Sequence, residues 1–222
     1  MPYLIKKGYI NGLIACERSG KVRDSFKSEF FNIWSCDLKQ SSRKGNHYKG
    51  DVFDILYQGW DFMICFPPCT YLSNFGNKFI FDDGRILKKA KALLFASQLW
   101  ESGIKYICLE NPVGALNTFM PVKPQTIHPY HPGDYYLKCT CLWLKNLPPL
   151  VYTLNDTLFD SGTSANYPKP EWISYNGKNR YWMDRLNKTP DRSNIKSETF
   201  LHVALAMADQ WTPYLLKQFG IT

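Results

Sequence analysis

The sequence contains no apolar run of about eighteen residues, which excludes a membrane-spanning helix and a membrane as partner. It has no Cys-x-x-Cys pair. Its seven cysteines (Cys16, Cys36, Cys65, Cys69, Cys108, Cys139 and Cys141) are odd in number and scattered through apolar stretches. Such spacing argues against a zinc site and a disulfide framework, so no metal is expected, and reduced thiols in a reducing compartment fit best. Met1 to Lys7 are too few and too mixed in character for a signal peptide, and a cytoplasmic location is expected. Acidic residues are outnumbered: 19 Asp and Glu face 27 Lys and Arg, a net charge of +8. A surplus of this sign bears on partners rather than fold, and it favours a polyanion, nucleic acid first. Internal repeats and low-complexity tracts are also missing.

What is present suits one soluble globular domain, residues 1–222, monomeric by default. Hydrophobic residues make up 45% and charged residues 21% of the chain. Apolar runs at Tyr9–Cys16, Phe31–Cys36, Phe62–Phe66 and Lys105–Leu109 read as buried strands. Between them, Lys21–Phe30 has helical spacing with Val22, Phe26 and Phe30 on one face. Gly84–Gly103 has a stronger helical pattern, with Ile86, Leu87, Ala90, Leu93, Leu94, Ser97 and Trp100 near one face. Strands alternating with helices predict an α/β fold with a mostly parallel sheet. Lys138–Leu144 alternates as a further strand, Gly114–Tyr136 reads as irregular, and Thr199–Gln210 reads as a helix followed by a turn or two at Tyr214–Phe219.

Two strand ends carry reactive residues. The first strand-turn, Glu17-Arg18-Ser19-Gly20, opens a nucleotide-type βα unit with a single glycine. The run Phe62–Phe66 stops at Pro67-Pro68 and is followed at once by Cys69, a thiol at the mouth of a strand on a stiff turn. The run Lys105–Leu109 ends in Glu110-Asn111-Pro112, and adjacency of the two strands would bring Cys69 and Glu110 to one face. Asp37, about twenty residues past the first turn, either accepts from ribose hydroxyls or caps its strand. Asp51 either accepts from an adenine amino group or caps a helix. Within 151–197, Lys178, Arg180, Arg185 and Arg192 sit among Trp172, Tyr175, Tyr181 and Trp182, a mixture that suits phosphates and bases or a solvated sheet edge.

The order of these pieces resembles the DNA cytosine carbon-5 methyltransferases, and in length the chain resembles their short, phage-type members. Pro68-Cys69 followed by Ser73 is similar to the family's nucleophile loop, and Glu110-Asn111 to its Glu-Asn pair. Gly50-Asp51-Val52 is similar to the adenine-binding segment. The family's Phe-x-Gly-x-Gly is reduced here to Cys16-Glu17-Arg18-Ser19-Gly20. Its Gln-x-Arg-x-Arg is missing, with Lys138 and Thr140 as nearest stand-ins. The resemblance implies a Rossmann-like fold with helices on both sheet faces, S-adenosylmethionine as cofactor, and DNA as partner, with RNA or a nucleotide as alternatives, in a host cytoplasm if the gene is a phage's. It implies catalytic roles for Cys69, Glu110, Asn111 and Lys138. It implies cofactor contacts at Ala15, Cys16, Glu17, Ser19, Gly20, Asp37, Asp51, Val52 and Pro67, a C-terminal helix completing that pocket, and nucleic-acid contacts at Ser73 and within 151–197. An amino-group methyltransferase, with Asp/Asn-Pro-Pro-aromatic, fits less well because Phe66 cannot accept a hydrogen bond from an amine. The other class of reading is a catalytically inactive, methyltransferase-like nucleic-acid-binding or anti-restriction protein.

Overall fold

A computed structural model describes residues 3–74, 84–134, 138–152, 173–175, 178–180 and 199–221. A seven-stranded sheet forms the centre, in the order β3-β2-β1-β4-β5-β7-β6. Its strands are β1 (Ile10–Ala15), β2 (Phe31–Asp37), β3 (His47–Lys49), β4 (Phe62–Cys65), β5 (Tyr106–Pro112), β6 (Gln125–Ile127) and β7 (Thr140–Lys145). β7 alone runs against the rest. The strands were recognisable because strands covered on both faces are apolar without interruption. All six residues of β1 and all four of β4 are buried.

Alternation along each strand divides the core in two. Leu13, Ala15, Met63, Cys65, Ile107 and Leu109 face one side, where Ala96, Leu99 and Trp100 of helix α2 (Arg85–Trp100) cover them. Ile10, Ile14, Phe62, Ile64, Tyr106 and Cys108 face the other. There helices α1 (Lys21–Ser25) and α4 (Leu201–Gln218) pack, with Val22, Met207 and Trp211 buried. The helices thus lie on both faces, as expected of a Rossmann-like sheet. A short helix α3 (Leu116–Phe119) and strand β6 order the stretch expected to be irregular. Within 151–197, the backbone of β8 (Ile173–Tyr175) pairs antiparallel with β9 (Lys178–Arg180). Among the described residues no helix is long and apolar enough to cross a membrane.

Three expectations need correction. Helix α1 ends at Ser25 rather than Phe30. The β1–β2 register pairs Ile10 with Phe31, so the chain must already be back at the sheet by Phe31. Phe26 accordingly turns out of helical geometry to pack on Phe31 and Phe62, ring centroids 6.2 and 5.5 Å away, while Phe30 is left 40% exposed. The apolar face of α2 is also rotated. Ile86, Leu87 and Leu94 are 62%, 60% and 58% exposed, whereas Ala96, Leu99 and Trp100 are buried and Ala92 and Phe95 half-buried. That inward stripe keeps the i, i+3, i+4, i+7 spacing of a packed helix, but only the C-terminal half of α2 lies on the sheet. Finally, α4 is one helix that continues through Pro213. It lies against the face opposite α2, and none of its residues lines the cavity it was expected to complete.

Candidate functional site

In an open α/β sheet, ligands bind outside the carboxyl ends of strands where the strand order reverses. Here the chain moves outward from β1 through β2 to β3, then returns to β4 on the other side of β1. At that point lies a cavity of about 440 Å³. Its wall takes Cys16 and Arg18 from the first turn, Cys36 to Lys39 from the end of β2, and Gly50, Asp51 and Val52 from the next turn. Pro68, Thr70 and Tyr71 come from the loop after β4, and Ala92 and Phe95 from α2. The volume lies within the range of small-molecule pockets, about 300–1,000 Å³.

Of the residues expected to hold a cofactor, Cys16, Asp37, Asp51 and Val52 line this cavity. Cys16 is one of two non-glycine residues with positive φ among the described residues, at 59°. The left-handed turn is therefore kept where a glycine is not, a strain typical of functional sites. Asp37 accepts from its neighbour Lys39 N–H at 2.8 Å. Asp51 accepts from Phe53 N–H at 3.0 Å as the cap of a 3₁₀ turn (Val52–Asp54), so its capping and wall positions coexist.

Ala15, Glu17, Ser19, Gly20 and Pro67 are not in the wall. Ala15 is fully buried, and its carbonyl accepts Phe66 N–H at 3.0 Å, tying β1 to the β4 loop. Gly20, at φ 73°, starts α1. Glu17 is 3% exposed; Ser19 donates its hydroxyl to one carboxylate oxygen and accepts the Lys21 N–H at 3.2 Å, while the other Glu17 oxygen has no hydrogen-bond partner among the described residues. Burial outweighs the Ser19 bond and raises the Glu17 titration. Arg18, Lys39, Tyr71 and Phe95 are wall residues that sequence reasoning missed. Arg18 alone had a signal, since it lies in the first βα turn, where topology places ligands.

One strand over, the reactive residues do converge. β4 and β5 pair in parallel up to Cys65 and Leu109, so Glu110 and the turn that carries Cys69 both follow the last pair. Asn111 donates its side-chain amide to the Pro67 carbonyl at 2.7 Å and thereby fixes the turn before Cys69. Beyond it, the Cys69 carbonyl accepts from Leu72 and Ser73 N–H groups, at 3.1 and 3.0 Å. Ser73 bridges to Gly114, and Ala115 N–H donates to the Leu72 carbonyl at 2.7 Å. The loop carrying Cys69 is thus stitched to the segment that follows Glu110. Ser73, half-buried, belongs to that stitching.

Cys69 and Cys139 are the exposed cysteines. Cys69 presents surface to solvent, yet enough protein surrounds its sulfur that desolvation pushes the thiol up. Lys138 acts against that rise and Glu110 adds to it. Glu110 is half-buried as a residue, but its carboxyl is enclosed. Desolvation raises it, opposed by Lys138 and by a hydrogen bond from Thr140. Glu110, Lys138 and Thr140 share a narrow cleft with Pro129, Thr199, Phe200 and Val203. The Lys138 ammonium stands 5.7 Å from the Phe200 ring centroid. The two cavity cysteines do not compete as nucleophiles: burial first, then Asp37 among nearby charges, pushes Cys36 up to about 12, and burial raises Cys16 as well. Lys178 and Arg180 lie on β9, described in backbone only, and Arg185 and Arg192 lie outside the described residues.

No family model matches the chain, and no curated protein matches it. A solved structure that it is similar to, provisionally described as a DNA modification methyltransferase encoded within an E. coli prophage, shares 13% identity. The match covers 61% of this chain and 46% of that one, with a TM-score of 0.41. The chain thus spans under half the length of that protein, and a functional reading rests on the chain's own geometry.

Proposed function

We propose that the chain is an S-adenosylmethionine-dependent methyltransferase that acts on carbon 5 of cytosine in DNA through a covalent Cys69 adduct. The observation that carries this reading is the convergence of Cys69, Glu110 and Lys138 just past the last β4–β5 pair, beside a cavity at the switch point.

The cavity's chemistry fits the cofactor. Asp37 and Asp51 offer carboxylates to ribose hydroxyls and an adenine amine, and Val52 and Phe95 offer apolar surface to a base. The cofactor, when bound, supplies an electrophilic methyl group. Everything else falls to the chain and the substrate base. Carbon 5 of cytosine is a weak nucleophile until a thiolate adds to carbon 6. Of the two exposed thiols, Cys69 is the one at a strand mouth with a cation and an acid beside it. Glu110, raised by desolvation, keeps its proton nearer neutrality and donates it to ring nitrogen 3 as the carbon–sulfur bond forms. The enamine so made carries the methyl group at carbon 5. Loss of the carbon-5 proton to water then expels the Cys69 thiolate, and Glu110 recovers its proton from ring nitrogen 3. Asn111 acts through the Pro67 carbonyl as a positioning residue. A base within a duplex has to be flipped out to reach this site.

The test is mass spectrometry of the intact protein after incubation with S-adenosylmethionine and oligonucleotides carrying 5-fluorocytosine. Fluorine at carbon 5 blocks the final elimination, so an active enzyme stays attached through Cys69. An adduct that disappears in Cys69→Ser supports the reading. Cofactor binding without an adduct on DNA moves the substrate to RNA or a mononucleotide, and absence of both favours the inactive binding protein.

A further inference from the structure

The first turn of a Rossmann-like sheet ordinarily receives a ligand's anionic group on backbone N–H groups at the start of the following helix. That arrangement is closed here. The Glu17 carboxylate, from the chain itself, is buried at this turn, and the Ser19 hydroxyl, which donates to it, accepts the Lys21 N–H at 3.2 Å. Helix α1 is moreover only five residues long. A ligand's carboxylate arriving at this turn would meet a buried acid rather than free donors.

The adjacent residue supplies the opposite charge. Arg18 is half-buried and lines the cavity, and its guanidinium makes no ion pair or hydrogen bond among the described residues. Its main chain is held, because the Arg18 carbonyl accepts Ser42 N–H at 2.9 Å. Asp37 and Asp51 share the cavity wall but lie beyond ion-pair range of Arg18. The charges are therefore partly segregated along the cavity: carboxylates, with Lys39 beside them, at the ends of β2 and the next turn, and Arg18 as the cation at the end of β1.

Strand order turns that segregation into a ligand pose. The strands run β2, β1, β4 side by side, and the reacting thiol stands past β4. A nucleoside held by Asp37 and Asp51 near β2 places its 5′ substituent over β1, directed at β4.

We propose that Arg18 binds the α-carboxylate of the cofactor's amino-acid tail at a turn whose interior the Glu17 carboxylate already fills. The inference rests on the S-adenosylmethionine reading and names the residue that recognises the tail. A guanidinium matches a carboxylate with two parallel hydrogen bonds, which a lysine cannot reproduce.

The experiment is calorimetric titration of the full chain with two ligands. S-adenosylhomocysteine carries the amino-acid tail, and 5′-methylthioadenosine keeps the nucleoside and sulfur but lacks the carboxylate and amine. Arg18→Gln is expected to weaken S-adenosylhomocysteine binding by about 10- to 100-fold, the usual loss for a charged hydrogen-bonded contact. Binding of 5′-methylthioadenosine should stay within about twofold of wild type, which also reports an intact cavity. Arg18→Lys should fall between. Equal binding of S-adenosylhomocysteine by wild type and Arg18→Gln overturns the Arg18 assignment and leaves the cofactor reading standing. Equal weakening of both ligands overturns it too, since Arg18 would then shape the cavity rather than read the tail. Failure of the wild type to bind either ligand overturns the cofactor reading and the Arg18 assignment together.

Discussion

The end of β1 and the ends of β4 and β5 are neighbours in one sheet, yet they treat charge in opposite ways. At β1 the acid, Glu17, is buried with the Ser19 hydroxyl on it, and the cation Arg18 lines the cavity without an ion pair among the described residues. At β4 and β5 a thiol, an acid and a cation are within electrostatic reach: Lys138 lowers both Cys69 and Glu110, and Glu110 raises Cys69. The first arrangement suits holding a ligand of fixed charge. The second suits moving protons, because a group's ionisation there depends on its neighbours'. The difference separates binding from chemistry within a few residues of each strand end, and variants should divide the same way.

The largest expected effect is on the chemical side alone. Glu110→Gln keeps the hydrogen-bonding shape but removes the proton, and should slow methyl transfer by about 10²- to 10⁴-fold. Affinity for S-adenosylhomocysteine should be unchanged, since Glu110 is not in the cavity wall. A variant that lost cofactor affinity in step with rate would erase the boundary between the two regions.

Gly114→Ala tests the stitching. A Cβ on Gly114 would stand 2.0 Å from the Leu72 carbonyl oxygen, a backbone atom that cannot swing aside. The Cys69 loop must therefore shift relative to Glu110, and misplacement on that scale costs about 100-fold in rate. Cavity affinity should fall much less, although Thr70 and Tyr71 share the loop. Full activity in this variant would mean that the bridge between Ser73 and Gly114 does not set the Cys69 position.

How much of this could be read from the chain depends on what positions each residue. β1, β4 and β5 were legible because burial on both faces writes an unbroken apolar run, and Cys69 and Glu110 because each follows such a run and adjoins proline. The length of α1 was not legible, since it is set by the return to Ile10 at Phe31, a contact made across the sheet. Nor was the buried face of α2, because its sequence carries apolar residues on two faces and only the docking chooses between them. Tyr71 and Phe95 carry no motif, and packing alone makes them cavity residues, whereas Arg18 lies in the first βα turn, where topology places ligands.

On the binding side, Asp51 both caps a turn and lines the cavity. Asp51→Ala should weaken S-adenosylhomocysteine by about tenfold and cost about 1 kcal/mol of stability through the lost cap. Asp51→Asn caps equally well, so it should retain the stability and lose part of the affinity. A drop in melting temperature with an unchanged dissociation constant in the alanine variant would reduce Asp51 to a cap.

The smallest effect probes the coupling itself. Lys138 is the chief influence lowering Cys69 toward its ordinary range, and it also lowers Glu110. Replacing it with Gln removes that cation, so the Cys69 thiol rises further and, at any pH below the thiol's titration, the thiolate fraction falls. Alkylation by iodoacetamide depends on thiolate. It should therefore be slower in Lys138→Gln at pH 8, by a few-fold, with the two proteins converging as pH climbs past both titrations. Peptide mapping separates Cys69 from Cys139, the other exposed thiol. Cys139 adjoins the substituted position, so its rate reports any change in local access. Equal slowing at both thiols would indicate a change in access, whereas slowing confined to Cys69 is the signature of a cation acting on one sulfur across the strand ends.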